Sequence, residues 1–510
     1  MDMSANATWR AARSWGRRAR GWRALAVVAG VALLTSACGA RLSPAQLAAL
    51  NTTGSGSGSA STGGSIPGQT ATAAAQGATA AGASTGGPSA TGAGPAGGTG
   101  GTAATGGTGG AGTPAGAIPG TVVDSSVCNG PASGPGISAS EVDLGMVTTE
   151  TGPIPGLETG AIDSMEAFVA YLNSIGGICG RKVVLKIADD NLDASQNATA
   201  TQSLVNSVFA MVGSQSGVDQ GGASVLKESG IPDIGEALSS QRFDLPNNFS
   251  PQPQPPGVDL APYLYFKQRF PQAATHMAVL GLNQPTAQFE TNDAIAGLQS
   301  IGYKFVYQDL NIEPTQTDFS ADAQAMKSAG AQGLLFLATG SYYADVARAI
   351  QSAGLTMPFM DFSSNAYDPT FLAQAGPAAN GAVLWGEDAL YQGEDAATVP
   401  AVALFDKWYR AVSGGKAPDD FAIWGWMAGM LFVDGLNAGG GLTRANLLNG
   451  LRQVTSFDAG GLQTGANPAA KKPPPCYVVI DVVNQRFVRD PVNPSGFNCT
   501  DAPNFYYASS

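Results

Sequence analysis

At 510 residues the chain is long enough for two or three domains, yet 68 glycines and only 13 % charged residues mark a large part of it as something other than packed core. Its 26 basic against 38 acidic residues leave a formal net charge of −12. That balance disfavours nucleic acid as a partner, because such affinity rests on Lys and Arg neutralising phosphates.

The chain opens with Arg10, Arg13, Arg17, Arg18, Arg20 and Arg23, then an apolar run over 24–34 and the sequence Leu34-Thr-Ser-Ala-Cys38. A charged segment, a short apolar run and small residues before a cleavage point read as an export signal over 1–37. A membrane-spanning helix needs about twenty apolar residues, so this run is too short to span. The Thr-Ser-Ala-Cys ending resembles a lipobox, which makes Cys38 the expected lipidation site and 38–50 a lipidated N-terminus. Ordinary cleavage beside an incidental cysteine is the alternative. Two or more acyl chains hold a protein firmly to a bilayer, so the expected location is extracytoplasmic, on the outer face of the cytoplasmic membrane.

From 42 to 123 there is no charged residue, and 51–120 is nearly all Gly, Ala, Ser, Thr and Pro. Such a composition cannot bury enough apolar surface to offset ordering entropy, so a disordered tether is expected. About seventy such residues span roughly 40–50 Å root-mean-square. Gly82-Ala-Ser84-Thr-Gly86 and Gly92-Ala-Gly94-Pro-Ala-Gly97 match a hydrolase elbow and a dinucleotide fingerprint in letters only. Neither has the strand before it or the helix after it that those mechanisms require.

The body begins with alternation at Val142, Leu144 and Met146, a strand pattern. Ile162, Met165, Val169 and Leu172 follow at helical spacing, stopped by Gly176-Gly177. Val183, Leu185 and Ile187 alternate again, Asp193-Ala-Ser-Gln196 resembles a capping box, and 209–212 reads as a buried strand. A helix over 219–229 leads to a strand at 231–235, a Pro-rich loop at 246–257 and a helix from Asp259 to about Phe270. A second alternation then supplies strands at 276–282, 303–310, 333–338, 358–362 and 381–385, with helices at 287–300, 318–328 and 342–353 between them. Helices at 397–413 and 420–437 and strands near 477–482 and 486–489 close the chain. Strands alternating with helices imply right-handed βαβ units and parallel sheets, hence an α/β body with two doubly wound lobes.

TGP after the first strand, YLNSIGGICGRKVVLKIADDNLD at 171–193 and VFAMVGSQS at 208–216 stand in an order and spacing that resemble the branched-chain amino-acid (Leu/Ile/Val-type) family of periplasmic binding proteins. The resemblance covers roughly 136–499. It implies a type I periplasmic binding protein with a three-stranded hinge, whose crossovers near 272, 392 and 458 assign 121–272 and 393–457 to lobe I and 273–392 and 458–510 to lobe II. It also implies an ABC permease as partner and hinge closure around a small ligand.

With Cys38 lipidated, four cysteines remain in an exported chain, which suggests two disulfides. Of three connectivities, Cys128–Cys179 with Cys476–Cys499 is favoured by proximity in sequence and fold. The absence of any Cys-x-x-Cys and the single histidine argue against a metal site, and no cofactor is expected.

In open parallel sheets ligands sit beyond the carboxyl ends of the strands. The loops there offer Thr149, Glu150, Ser214, Gln215, Ser216 and Glu236 in lobe I, and Asn283, Gln284, Tyr342, Tyr343, Asp361 and Ser363 in lobe II. By the resemblance, Ser214 to Ser216 stand where the family holds a substrate carboxylate. Tyr342 and the 361–367 loop stand where it supplies an aromatic wall and an acid for the amino group. Against this, the hydroxyls could simply cap helices, Glu150 could be a solvated acid, and Trp385 is expected in the core. Two departures matter: Glu236 replaces a small or hydroxyl residue, and Asn283-Gln284-Pro-Thr replaces Asp…Tyr-Gly. No Lys or Arg falls in these loops, so an anionic ligand is disfavoured. The expected function is a non-catalytic solute-binding lipoprotein for a small polar ligand, amino-acid-like, amide or cationic. A ligand-sensing receptor acting through a protein partner is the alternative; an enzyme or a purely structural wall protein fits less well.

Overall fold

The computed structural model describes residues 118–154, 156–491 and 495–508. The export signal, Cys38 and nearly all of the Gly/Ala/Ser/Thr-rich segment lie outside the described residues. Among the described residues no helix is long and apolar enough to cross a membrane.

The first sheet is built as the sequence pattern predicts. Strand β1 (Glu141–Thr148) pairs in parallel with β2 (Lys182–Asp189), residue for residue from Glu141↔Lys182 to Thr148↔Asp189. Helix α1 (Thr159–Ser174) connects them. Helix α2 (Ala194–Val205) starts on Asp193, whose carboxylate accepts the Gln196 N–H at 2.9 Å. Strand β3 (Ala210–Val212), helix α3 (Ala223–Ser229) and β4 (Asp233–Ile234) follow. Two short elements not anticipated from sequence, α4 (Ser240–Phe243) and β5 (Asn248–Phe249), complete a sheet of order β2-β1-β3-β4-β5, all parallel.

The second sheet begins beyond β6 (Gly257–Asp259) and α5 (Ala261–Arg269). Its elements are β7 (Met277–Leu282), α6 (Pro285–Ser300), β8 (Phe305–Ile312), α7 (Ser320–Ala329), β9 (Gly333–Leu337), α8 (Ser341–Ser352), β10 (Phe359–Asp361), α9 (Pro369–Ala375) and β11 (Ala382–Gly386). After it come α10 (Pro400–Val412), α11 (Asp420–Gly439) and α12 (Arg444–Leu451), then β12 (Val478–Val483) and β13 (Arg486–Arg489). The sheet order is β13-β12-β11-β10-β9-β7-β8, parallel except that β12 runs antiparallel to both β11 and β13. A last strand, β14 (Phe505–Tyr507), pairs antiparallel with β6 and pins the C-terminal segment to the Pro-rich connection.

Helix α11 is apolar nearly all round, which suits a helix buried on most of its surface. It packs on α1, where the Phe168 and Trp426 rings meet edge to face with centroids 5.0 Å apart. Gly429 makes that approach possible: a Cβ there would stand 2.4 Å from the Phe168 ring. Disulfides join Cys128 to Cys179 and Cys476 to Cys499.

The chain passes between the two sheets three times, and a buried polar knot joins those passages. Gln252, between β5 and β6, donates through Nε2 to Asp388 Oδ1 at 3.0 Å and to Gln463 Oε1 at 3.1 Å. Asp388 follows β11 and Gln463 precedes β12. Gln463 in turn donates to the carbonyls of Pro251 and Phe457, and the Trp424 indole of α11 donates to Gln252 Oε1 at 2.8 Å. A hydrogen-bonded network of this kind couples the strands it joins.

Candidate functional site

Behind the C-terminal ends of β3 and β4 lies Arg242, 2 % exposed. Its guanidinium donates to both oxygens of Asp233 (2.9 and 2.8 Å) and to the carbonyls of Ser214 (3.1 Å) and Glu236 (2.7 Å), with Asp219 3.6 Å away. One planar fork therefore sets the course of two of the loops that were expected to carry ligand contacts. Arg242 does not face solvent.

A cavity of about 260 Å³ opens between the two sheets. The first sheet's side supplies Ile154, Leu157, Glu158, Gly217, Ala237 and Leu238, together with Phe421 and Trp424 of α11. The connections supply Gln252, Gln254, Val258, Asp259 and Glu387. The second sheet's side supplies Tyr263, Gln284, Thr286, Phe289, Glu290, Asp293, Ser363, Ser364, Asn365 and Trp385. Two hydrogen bonds cross the gap: Thr286 Oγ1 donates to the Gly217 carbonyl at 2.8 Å, and Ser364 Oγ donates to Asp420 Oδ2 at 2.7 Å.

Of the twelve residues expected at the ligand, Gln284 and Ser363 line this cavity. The others are placed behind it or beside it. Ser214 Oγ accepts the Val147 N–H at 3.0 Å and Ser216 Oγ accepts the Val218 N–H at 3.1 Å, so both hydroxyls serve the local backbone. Thr149 Oγ1 donates to Asp190 at 2.8 Å, and Gln215 Nε2 donates to the Phe421 carbonyl. Glu150 is exposed, its N–H bonded to Asp189. Glu236 accepts from Ser250 Oγ at 2.5 Å, and burial pushes its carboxyl up to about 8. Asn283 is exposed and donates to Glu313.

Tyr342 and Tyr343 turn into the core of the second sheet, where their hydroxyls bond to backbone at Pro314 and Ala338. Asp361 accepts the Ser363 N–H at 3.0 Å and is fully buried. Trp385, expected in the core, instead lines the cavity and donates to Tyr263 OH at 3.4 Å.

Among the described residues five carboxylates line the cavity, and no Lys, Arg or His does. Burial raises Glu158 to about 8, although the Thr149 N–H (2.6 Å) and Thr148 hydroxyl (2.8 Å) favour its charged form. Burial likewise pushes Asp259 up to about 6 and Glu290 to about 7, with repulsion from Asp219 and Asp293 adding to the latter. Glu387 is raised well above the usual carboxylate range, by burial first and then by Asp259 and Asp388. Desolvation and like charge act together here, since both penalise the ionised form. None of these acids was among the expected contacts. Glu158, two residues past the Pro-Gly of the TGPIPG turn and just before α1, was the one in reach of sequence reasoning.

Two sheets joined by three crossings, with a cavity lined from both, constitute the type I periplasmic binding protein fold. The chain belongs to the periplasmic binding protein family, which matches residues 141–486. Its structure resembles a fatty acid ABC transporter substrate-binding protein from Thermomonospora curvata (TM-score 0.61, 19 % identity, covering 74 % of this chain and 96 % of that one). A leucine binding protein, LivK, from Thermotoga maritima is similar at TM-score 0.59 and 17 % identity, over 71 % and 99 % of the two chains. A branched-chain amino acid ABC transporter protein from Thermus thermophilus with bound valine gives 0.61 and 15 %, over 72 % and 97 %. No curated protein matches the chain by sequence.

Proposed function

We propose that this protein is the solute-binding lipoprotein of an ABC importer, held to the outer face of the cytoplasmic membrane through Cys38 and handing a small polar ligand to a permease. The observation that carries the reading is the cavity between the two sheets, lined from both sides and from the connections that join them. A ligand there bridges both lobes, so binding favours the closed arrangement and the population shift is what a permease reads. The tether lets the body work at a distance from the bilayer. The ligand classes proposed are amino-acid-like, amide and cationic, while the similar solved structures are named for fatty acid, leucine and valine. The test is a thermal-shift and calorimetric screen of the full chain in detergent against these classes. A ligand at a hundred times its Kd adds about 2.7 kcal/mol of apparent stability. A folded protein that shifts with no small molecule refutes solute binding, and unlabelled Cys38 after growth on a fatty-acid probe refutes the anchor.

A further inference from the structure

The cavity's charge is one-sided, and its acids are incompletely satisfied. Glu158, Asp259 and Glu387 are 1, 7 and 5 % exposed, and all three line the cavity. Each has one oxygen engaged: Glu158 Oε2 by Thr148 and Thr149, Asp259 Oδ1 by the Ala261 N–H at 2.9 Å, and Glu387 Oε2 by the Gln254 amide at 3.0 Å. Their second oxygens, Glu158 Oε1, Asp259 Oδ2 and Glu387 Oε1, have no hydrogen-bond partner among the described residues. None of the three oxygens is sealed from solvent inside the protein; on residues that line the cavity they are left open to it, where a ligand can donate to them.

The rings beside them narrow the ligand further. Tyr263 and Trp385 meet edge to face at 5.7 Å, and the indole N–H groups of Trp385 and Trp424 are already given to Tyr263 OH and Gln252. What these side chains offer a ligand is therefore aromatic surface, which attracts a cation as well as an apolar body. An anion would meet five carboxylates with no countercharge. A metal ion does not suit the site, since among the described residues no three His, Cys, Asp or Glu converge closely enough to hold one.

We propose that the ligand is an organic cation, a protonated amine or quaternary ammonium on an apolar body, with its head at the Asp259–Glu387 pair and its body on Tyr263 and Trp385. An α-amino acid is the poorer fit, because its carboxylate would find no Lys, Arg or His among the described lining residues. The proposal rests on the solute-binding reading and names the chemistry of that site.

Calorimetric titration of the full chain tests it, with phenethylamine, choline and putrescine as probes. 2-Phenylethanol and 3,3-dimethylbutanol serve as uncharged counterparts, and leucine, urea and hexanoate as the competing classes. The expected result is that at least one cation binds a hundredfold or more tighter than its uncharged counterpart, and that Glu387→Gln or Asp259→Asn weakens it at least tenfold. The comparison of cation with counterpart in the unaltered protein stands whether or not those variants fold. Equal binding of the uncharged counterpart overturns the proposal. Leucine, urea or hexanoate binding while every cation fails overturns it too, and leaves solute binding intact. Silence from every probe sinks both.

Discussion

Replacing Arg242 by methionine removes a buried guanidinium that four groups depend on. Asp233 keeps only the Asn248 amide, at 2.8 Å. The carbonyls of Ser214 and Glu236 lose their donor, and Asp219 loses its nearest positive charge. Breaking a buried ion pair from one side costs about 3–5 kcal/mol, because the remaining charge is stranded. The separate hydrogen bonds are not added to that figure, since they belong to one coupled network. Urea unfolding at pH 7.5 reads the loss as a lowered midpoint at unchanged slope. The cost also depends on pH. Burial already holds Asp219 up to about 6 despite Arg242, and without the arginine it rises further. An acid whose folded pKa lies above its unfolded value loses stability as pH climbs from the unfolded to the folded pKa. The penalty of Arg242→Met is therefore larger at pH 8 than at pH 5, and Asp233→Asn in the same chain recovers part of it. A loss under about 1 kcal/mol, or one of equal size at both pH values, refutes the reasoning.

Gly429→Ala places a Cβ 2.4 Å from the Phe168 ring. Overpacking of about 1–3 kcal/mol outweighs the roughly 0.5–1 kcal/mol that alanine gains in a helix. A raised melting temperature would contradict the close contact between α11 and α1. The ligand-free protein should lose stability between about pH 4.5 and 8, because Asp259, Glu290, Glu158 and Glu387 are all raised by burial. Asp293 on α6, Asp190 and Asp219 behind Glu158, and Asp388 and Glu236 beside Glu387 add to the effect. Glu158→Gln should flatten the curve, and a melting temperature that climbs steadily to pH 8 would show that these carboxyls ionise freely.

Local periodicity carried most of the fold into view. The alternation of Val142, Leu144 and Met146, the helical spacing from Ile162 to Leu172 and the Asp193 cap are near-neighbour effects, and each is realised where the pattern places it. Elements of two to four residues, such as β5 and α4, carry too little period to be seen. Strand β14 exists only because β6 pairs with it.

The site was less legible for the same reason. Rules about strand ends place Ser214 and Ser216 correctly in a loop, Asp361 at the last position of β10 and Tyr342 in the first turn of α8, but they do not say which way a side chain turns. Ser214 turns to the backbone of β1 and Tyr343 under β9, whereas Trp385 turns outward. Glu387, Asp259 and Gln252 sit on connections between the sheets, where no periodicity operates.

By itself the sequence determined the alternation of strands and helices and pointed to the family, because both depend on spacing along the chain; it favoured one of three cysteine pairings without deciding among them, and the structure has that pairing. Only the tertiary structure decided that, among the described residues, five acids and no base face one cavity. That outcome depends on how three distant connections pack against one another, and on which carboxylate oxygens are left open to the cavity when they do.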